Sequence, residues 1–341
     1  MRRLTGCVVL TLTAALSMTG AQAQASADVR QPPATPAYLN TNTMVVKDNG
    51  HRRVLDVDGS AESFYRTAHG YAVMSEVPRG DDSAVWLTIY GKRRGSEVLS
   101  RSVSRASYPT VAVSADGKRI AYVAQPSTQG LARLVVRRTS DGGLVRKRPL
   151  ADPSTRVLAF RAGEVWFAQD RHFAGRFQVR SGKVRPVRKG RAPLIAVSPA
   201  RDQAVVRNLT THKASVVPLP RHGRKGWQLP EHDVLGWSPN GRYVLTYNWD
   251  DEGVVRRLVV RNSRSGRLVR GVSYNWFGSP PRIRWASSKA FLAVRGGEHG
   301  AELMRYGARK GAKVLATFPS WTPDVPGWLP IAAPGQGVAT D

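Results

Sequence analysis

Two stretches of this chain set aromatic rings beside carboxylates. Y-N-W-D-D-E-G runs from Tyr247 to Gly253, and S-Y-N-W-F-G-S-P-P from Ser273 to Pro281. Trp249, Tyr274, Trp276 and Phe277 offer flat faces, while Asp250, Asp251 and Glu252 accept hydrogen bonds or pair with a cation. That combination suits a sugar ring or an organic cation, provided the two stretches lie side by side. Large rings have a second use, which is to fill the space between packed sheets.

Other chemistries find less support. The chain has no G-x-S-x-G elbow for a hydrolase nucleophile. Its seven histidines include no pair at close ligand spacing, so neither a metal site nor a cofactor is expected. The single cysteine, Cys7, lies in an apolar stretch that follows Arg2 and Arg3 and precedes Ala21, Ala23 and Ala25. This is the pattern of a cleaved signal peptide over residues 1–25, and it predicts a secreted or extracytoplasmic protein with no transmembrane segment. Without Cys7 the mature chain has no thiol for a disulfide, a zinc ligand or a nucleophile.

The elements that would position the candidate residues come from a repeat. S-A-D-G-K-R-I-A-Y at Ser114–Tyr122 returns as S-P-N-G-R-Y-V-L-T-Y at Ser238–Tyr247, each a tight polar turn between two apolar strands. Related turns hold Gly70 and Gly163, and two copies without the glycine start at Ser198 and Ala286. A second hairpin follows each turn, as in L-V-V-R-R-T-S-D-G-G from Leu134 and L-V-V-R-N-S-R-S-G from Leu258. Two hairpins per repeat make a four-stranded antiparallel blade, and a spacing of about 40 residues suits an all-β propeller.

Six blades are readable near 63–103, 109–150, 156–188, 193–229, 234–272 and 282–319. The hairpin at 44–57 and the segment 321–333 are left over, and together they would form a seventh, composite blade that closes the ring. Six blades with loose terminal strands is the alternative. The expected organisation is a signal peptide (1–25), a flexible lead-in (26–39), a propeller (40–335) and a flexible tail (336–341).

The S-x-D-G-K-x-I-A-Y phrase resembles the propeller repeat of TolB-type proteins and their WD-repeat-like relatives, over about 60–330. The resemblance implies the fold and leaves the function open. TolB proteins also carry an α/β domain ahead of the propeller, for which this chain has no room, so their partner-binding role is not carried over.

The repeat also sorts charge. With strands A to D running outward from the axis, A–B and C–D turns emerge on one face, and B–C and D–A connections on the other. The first face collects Arg93, Arg94, Lys118, Arg119, Arg224, Lys225, Arg242, Arg261, Arg264, Arg267, Arg309 and Lys310. The second is mixed and includes Glu231, Asp250, Asp251 and Glu252 against Arg156 and Lys189. The net charge of +28 matches a basic face turned toward an anionic polymer or envelope component. The expected function is a monomeric, secreted binding or scaffolding module, with a protein partner as a further option. The alternative is a lyase or hydrolase acting on polysaccharide through carboxylates of the mixed face.

Overall fold

The structure is a computed structural model of the full chain. It describes residues 38–330 except 41–42, 49, 81, 92–94, 102, 104–110, 126–130, 153, 170–172, 190–192, 199, 209, 220–225, 232, 253, 278–282, 298–299 and 319–327. The expected signal peptide, most of the lead-in and the tail lie outside the described residues, as do Arg93, Arg94, Arg224 and Lys225.

The described residues form seven four-stranded antiparallel sheets arranged as a β-propeller, with no helix among them. Blades 1 to 6 span 60–100, 111–149, 156–189, 194–228, 233–277 and 284–318. Blade 7 is composite: its inner strand is Trp328–Pro330, and Tyr38–Asn40, Val45–Asp48 and His51–Val54 follow outward. The closing ladder pairs Tyr38 with Pro330, Leu39 with Leu329 and Asn40 with Trp328. The ring thus has seven blades rather than six, and its first strand starts at Tyr38, within the expected lead-in.

Hydrophobic clusters sit between blades rather than inside them. One joins Tyr65, Met74 and Leu87 of blade 1 to Val111, Ile120 and Tyr122 of blade 2. Another joins Ala121 and Leu134 of blade 2 to Phe160, Phe167 and Phe177 of blade 3. Both faces of an inner strand therefore meet apolar neighbours, which is why V-A-V at Val111–Val113 and A-Y-V within Arg119–Ala124 are continuous apolar runs. Outer strands lack a covered second face, and Leu144–Pro149 is exposed along most of its length. Five of the A–B ladders contain a register shift, as between Ala61 and Ser63 and between Val234 and Gly236. Such bulges increase the local twist of a strand pair.

The repeated phrase is turn chemistry. Ser114 Oγ donates to Asp116 Oδ1 at 2.6 Å and accepts from Arg119 N at 2.9 Å, while Lys118 N donates to Asp116 Oδ1 at 3.0 Å. Blade 5 repeats the arrangement with Ser238, Asn240, Arg242 and Tyr243. The glycine carries the bend, with φ of 69° at Gly117 and 66° at Gly241. It also lets two blades meet, because a Cβ on Gly117 would lie 2.5 Å from the backbone nitrogen of Ala68 in blade 1.

One element runs longer than the sequence indicates. Ser273–Phe277, expected in the connection to blade 6, completes the D strand Leu268–Phe277 of blade 5, with Trp276 paired to Val255 and Phe277 to Val254. The β-branched and aromatic content that suggested a ligand loop is also strand-forming.

Gly117 and Gly163 separate backbone strain from blade contact, since Gly163 has φ of 75° but a Cβ added to it would meet nothing within 4 Å. Gly163→Ala should cost about 1–2 kcal/mol of unfolding free energy in urea. Gly117→Ala adds the clash with Ala68 and should cost about 2–5 kcal/mol. Equal losses would show that the turn does not bear on its neighbour. Ending the chain at Phe318 should leave the Tyr38–Asn40 edge open, lower the thermal midpoint and promote association. A truncated protein that melts and sediments like the full chain would remove closure as a source of stability.

Candidate functional site

The two kinds of turn on the first face are clasped together within a blade. Thr139 Oγ1 of the C–D turn donates to the Gly117 carbonyl of the A–B turn at 2.7 Å, and Thr139 N to Lys118 O at 2.9 Å. In blade 5 the same bonds join Ser263 Oγ to Gly241 O at 2.6 Å and Ser263 N to Arg242 O at 3.0 Å. Thr139 and Ser263 are buried, so the clasp is shielded from water, and the basic residues that flank it point outward.

Between blades 5 and 6 this face holds a cleft of about 510 Å³ lined by Arg242, Tyr243, Asn262, Ser265, Arg267, Leu268, Val269 and Arg309. Arg309 Nε donates to Tyr243 Oη at 3.2 Å, and the Arg242 guanidinium lies 5.6 Å from the centre of the same ring. Tyr243 is itself stacked on Trp285, with ring centres 6.3 Å apart and planes inclined by 13°. Arg270 fixes the Arg309 turn from the side, donating to Gly307 O at 2.6 Å and Gly311 O at 2.8 Å. A rigid aromatic floor and three guanidinium groups are therefore set around one opening.

The charge is concentrated. Burial, followed by the nearby charges of Arg264 and Arg242, holds the Arg201 guanidinium below its ordinary value. Arg242, Arg264, Arg267 and Arg309 make no ion pair with a described carboxylate. Lys118, Arg119 and Lys310 are also exposed on this face, although Asp116 answers part of the charge in blade 2. Sorting by turn fails for one pair. Arg261, expected on the basic face, binds Glu231, expected on the mixed face, through both guanidinium and carboxylate edges, and Glu231 is buried between blades 4 and 5.

The backbone does bring the aromatic and acidic stretches together. Trp249 and Trp276 both pair with Val255, one on either side of it, at the end of blade 5. The side chains of Trp249, Trp276 and Phe277 lie outside the described residues. The described members have other occupations. Asp250 Oδ1 accepts from Val254 N at 2.8 Å and Glu252 N at 3.1 Å, while Asp250 Oδ2 accepts from Arg256 Nε at 2.6 Å. The Val254 amide, with Arg256 and the Glu252 amide outweighing the opposing effect of burial, holds the Asp250 carboxyl below the usual range. Glu252 also meets Arg256, at 3.4 Å, and Asp251 is exposed. Tyr274 is buried in the cluster between blades 5 and 6 with no hydrogen bond to its hydroxyl, and burial pushes that hydroxyl far above the ordinary phenol range. Inward-facing alternation along the D strand places this ring in the core rather than on a ligand surface.

No protein-family model and no curated protein matches the chain. Solved structures do. A functionally unknown protein from Desulfotomaculum acetoxidans is similar over 87% of this chain and 99% of that one, at 12% identity and a TM-score of 0.52. The β-propeller domain of Swd1 from Myceliophteria thermophila covers 78% of this chain and 89% of that domain, at 11% identity and a TM-score of 0.51. TolB from Acinetobacter baumannii is matched over 69% of this chain and 61% of that one, at 16% identity and a TM-score of 0.44. The first two likenesses establish the propeller fold.

Replacing Tyr274 with Phe distinguishes core packing from ligand contact. A buried hydroxyl without a partner costs about 1–3 kcal/mol, so Tyr274→Phe should leave the unfolding free energy unchanged or raise it. A clear loss would mean that the hydroxyl is bound.

Proposed function

We propose that the protein acts outside the cytoplasm as a binding module whose A–B and C–D face engages an anionic polymer of the cell envelope. The carrying observation is the setting of Arg242, Arg267 and Arg309 from two blades around one cleft, with Arg201 of blade 4 nearby, its guanidinium held down by burial and then by the charges of Arg264 and Arg242. A polymer that spans several blades can meet charges that are distant in sequence, and each phosphate, sulfate or carboxylate group relieves the repulsion among them. The cleft adds selectivity, because guanidinium groups held at fixed positions by a buried ring favour a planar or tetrahedral anion. The signal-peptide pattern in the sequence of residues 1–25 supports export, and a ring whose turns carry exposed residues supports the binding role. Carboxylate-based catalysis on the other face is not favoured, since Asp250 and Glu252 serve their own turn and Arg256.

Retention on a heparin matrix at graded salt tests the reading. Surface charges are screened beyond about 8 Å at physiological ionic strength, so elution should depend steeply on salt. Replacing Arg264, Arg267 and Lys310 with Glu should move elution to markedly lower salt and flatten the salt dependence, because all three are exposed on this face. The same reversal at Arg79, Arg133 and Arg305, exposed elsewhere on the ring, should have a much smaller effect. Equal shifts would mean that net charge alone governs retention.

A further inference from the structure

A second cleft, of about 730 Å³, opens on the other face between blades 4 and 5. Its walls are Arg207 at the end of the B strand of blade 4, Thr211, His212 and Lys213 of the B–C turn, Gln228 at the end of the D strand, and Leu229, Pro230 and Glu231 of the connection that follows. The B–C turn is built like a C–D turn of the basic face. Asn208 Oδ1 accepts from Thr210 N at 2.9 Å and Thr211 N at 3.1 Å, and Asn208 N donates to Lys213 O at 2.8 Å. In blade 5, Asn262 Oδ1 accepts from Arg264 N at 3.0 Å and Ser265 N at 3.2 Å, and Asn262 N donates to Arg267 O at 2.9 Å.

The two turns differ at one telling position. Asn262 is followed four residues later by Gly266, with φ of 71°, and Gly142 and Gly182 hold the same position in their turns at 67° and 72°. Four residues after Asn208 the chain has His212, with φ of 54°. A side chain in this region costs stability that glycine would save, and a strained residue persists where something else is gained. Met44 and Ala162 also have positive φ, but of the three only His212 lines a described cleft.

The chemistry of the walls indicates the gain. Arg207 and Lys213 bring positive charge, and Thr211, His212 and Gln228 bring hydrogen-bonding groups. Glu231, the acid among the lining residues, is buried and already bound by Arg261 of the next blade, so its charge is answered from behind. Leu229 and Pro230 supply an apolar edge. We propose that this cleft binds the oxyanion of a compact polar molecule, a carboxylate or phosphate carried on a body of sugar size, with His212 and Lys213 as its direct donors. The site is separate from the polymer-binding face and does not depend on it.

Titration of the full mature chain with inorganic phosphate and, separately, with glucuronate tests the proposal, with glucose as the uncharged control. The ring resonances of His212 should shift with one or both anions and not with glucose, and the two arms distinguish a phosphate from a sugar carboxylate. Lys213→Gln should weaken binding about tenfold, the loss of one charge-assisted bond. His212→Gly should also weaken it, yet raise the thermal midpoint by relieving the backbone. Binding that is unchanged in both variants, or no binding of either anion, would overturn the proposal, as would a His212→Gly protein with a lower midpoint. Loss of binding in the Arg264, Arg267 and Lys310 reversal, with Lys213→Gln unaffected, would place the anion on the other face and overturn it too.

Discussion

Among the described residues neighbouring blades share no hydrogen-bonded ladder, only an isolated bridge between Val103 and Ala124, and the rest of the structure answers that constraint. Cohesion between sheets has to come from side chains and turns. The hydrophobic clusters therefore straddle blades, as where Leu158 and Trp166 of blade 3 pack with Leu194 and Val206 of blade 4. Turns complete the linkage: Ala68 N of blade 1 donates to the Gly117 carbonyl of blade 2 at 2.9 Å, and Arg161 of blade 3 pairs with Asp202 of blade 4 at 3.0 Å. The one place where a sheet is built from both ends of the chain is the closing blade, where main-chain pairing substitutes for sequence continuity.

Arginine serves this architecture in a way that bears on the charge imbalance. Turn carbonyls that point away from any strand need a donor, and a guanidinium can reach them without a carboxylate. Arg137 donates to Gly142 O at 2.7 Å, and Arg261, at the matching position of blade 5, to Gly266 O at 2.8 Å. Between blades, Arg146 reaches Arg180 O at 2.8 Å, Arg156 reaches Leu194 O at 3.1 Å, and Arg270 reaches the Gly307 and Gly311 carbonyls. Such a bond holds a positive charge in place without itself using a carboxylate, although Arg261 also binds Glu231. Part of the net +28 is thus a by-product of how the blades are joined, and the remainder, at residues such as Arg264, Arg267 and Lys310, is exposed.

The fold was legible because its turns are chemically specific. A serine, an Asp or Asn and a glycine at fixed spacing can be recognised without knowing what they contact, and they marked the A–B turns of blades 2 and 5. The D strand of blade 5 was misjudged because Tyr274 and Trp276 suit a ligand loop and a strand equally well. Packing between repeats has no such local signature. Nothing near Glu231 announces Arg261, thirty positions away, and His212 reads as an ordinary turn residue until its φ is known. The arginine cleft was half visible: the turns that carry Arg242, Arg267 and Arg309 can be read from the repeat, but their grouping around Tyr243 depends on how blades 5 and 6 meet.

The composite blade also imposes an order on assembly. Tyr38 and Pro330 are about 290 positions apart in sequence, so their pairing is among the least local contacts the chain can make, and loop closure delays it. Three strands of blade 7 are synthesised before the other six blades and must remain without their inner neighbour until Trp328–Pro330 has been made. Throughout that interval Tyr38–Asn40 presents an unpaired edge to every other copy. A chaperone that occupied this edge would protect the protein at its most vulnerable stage.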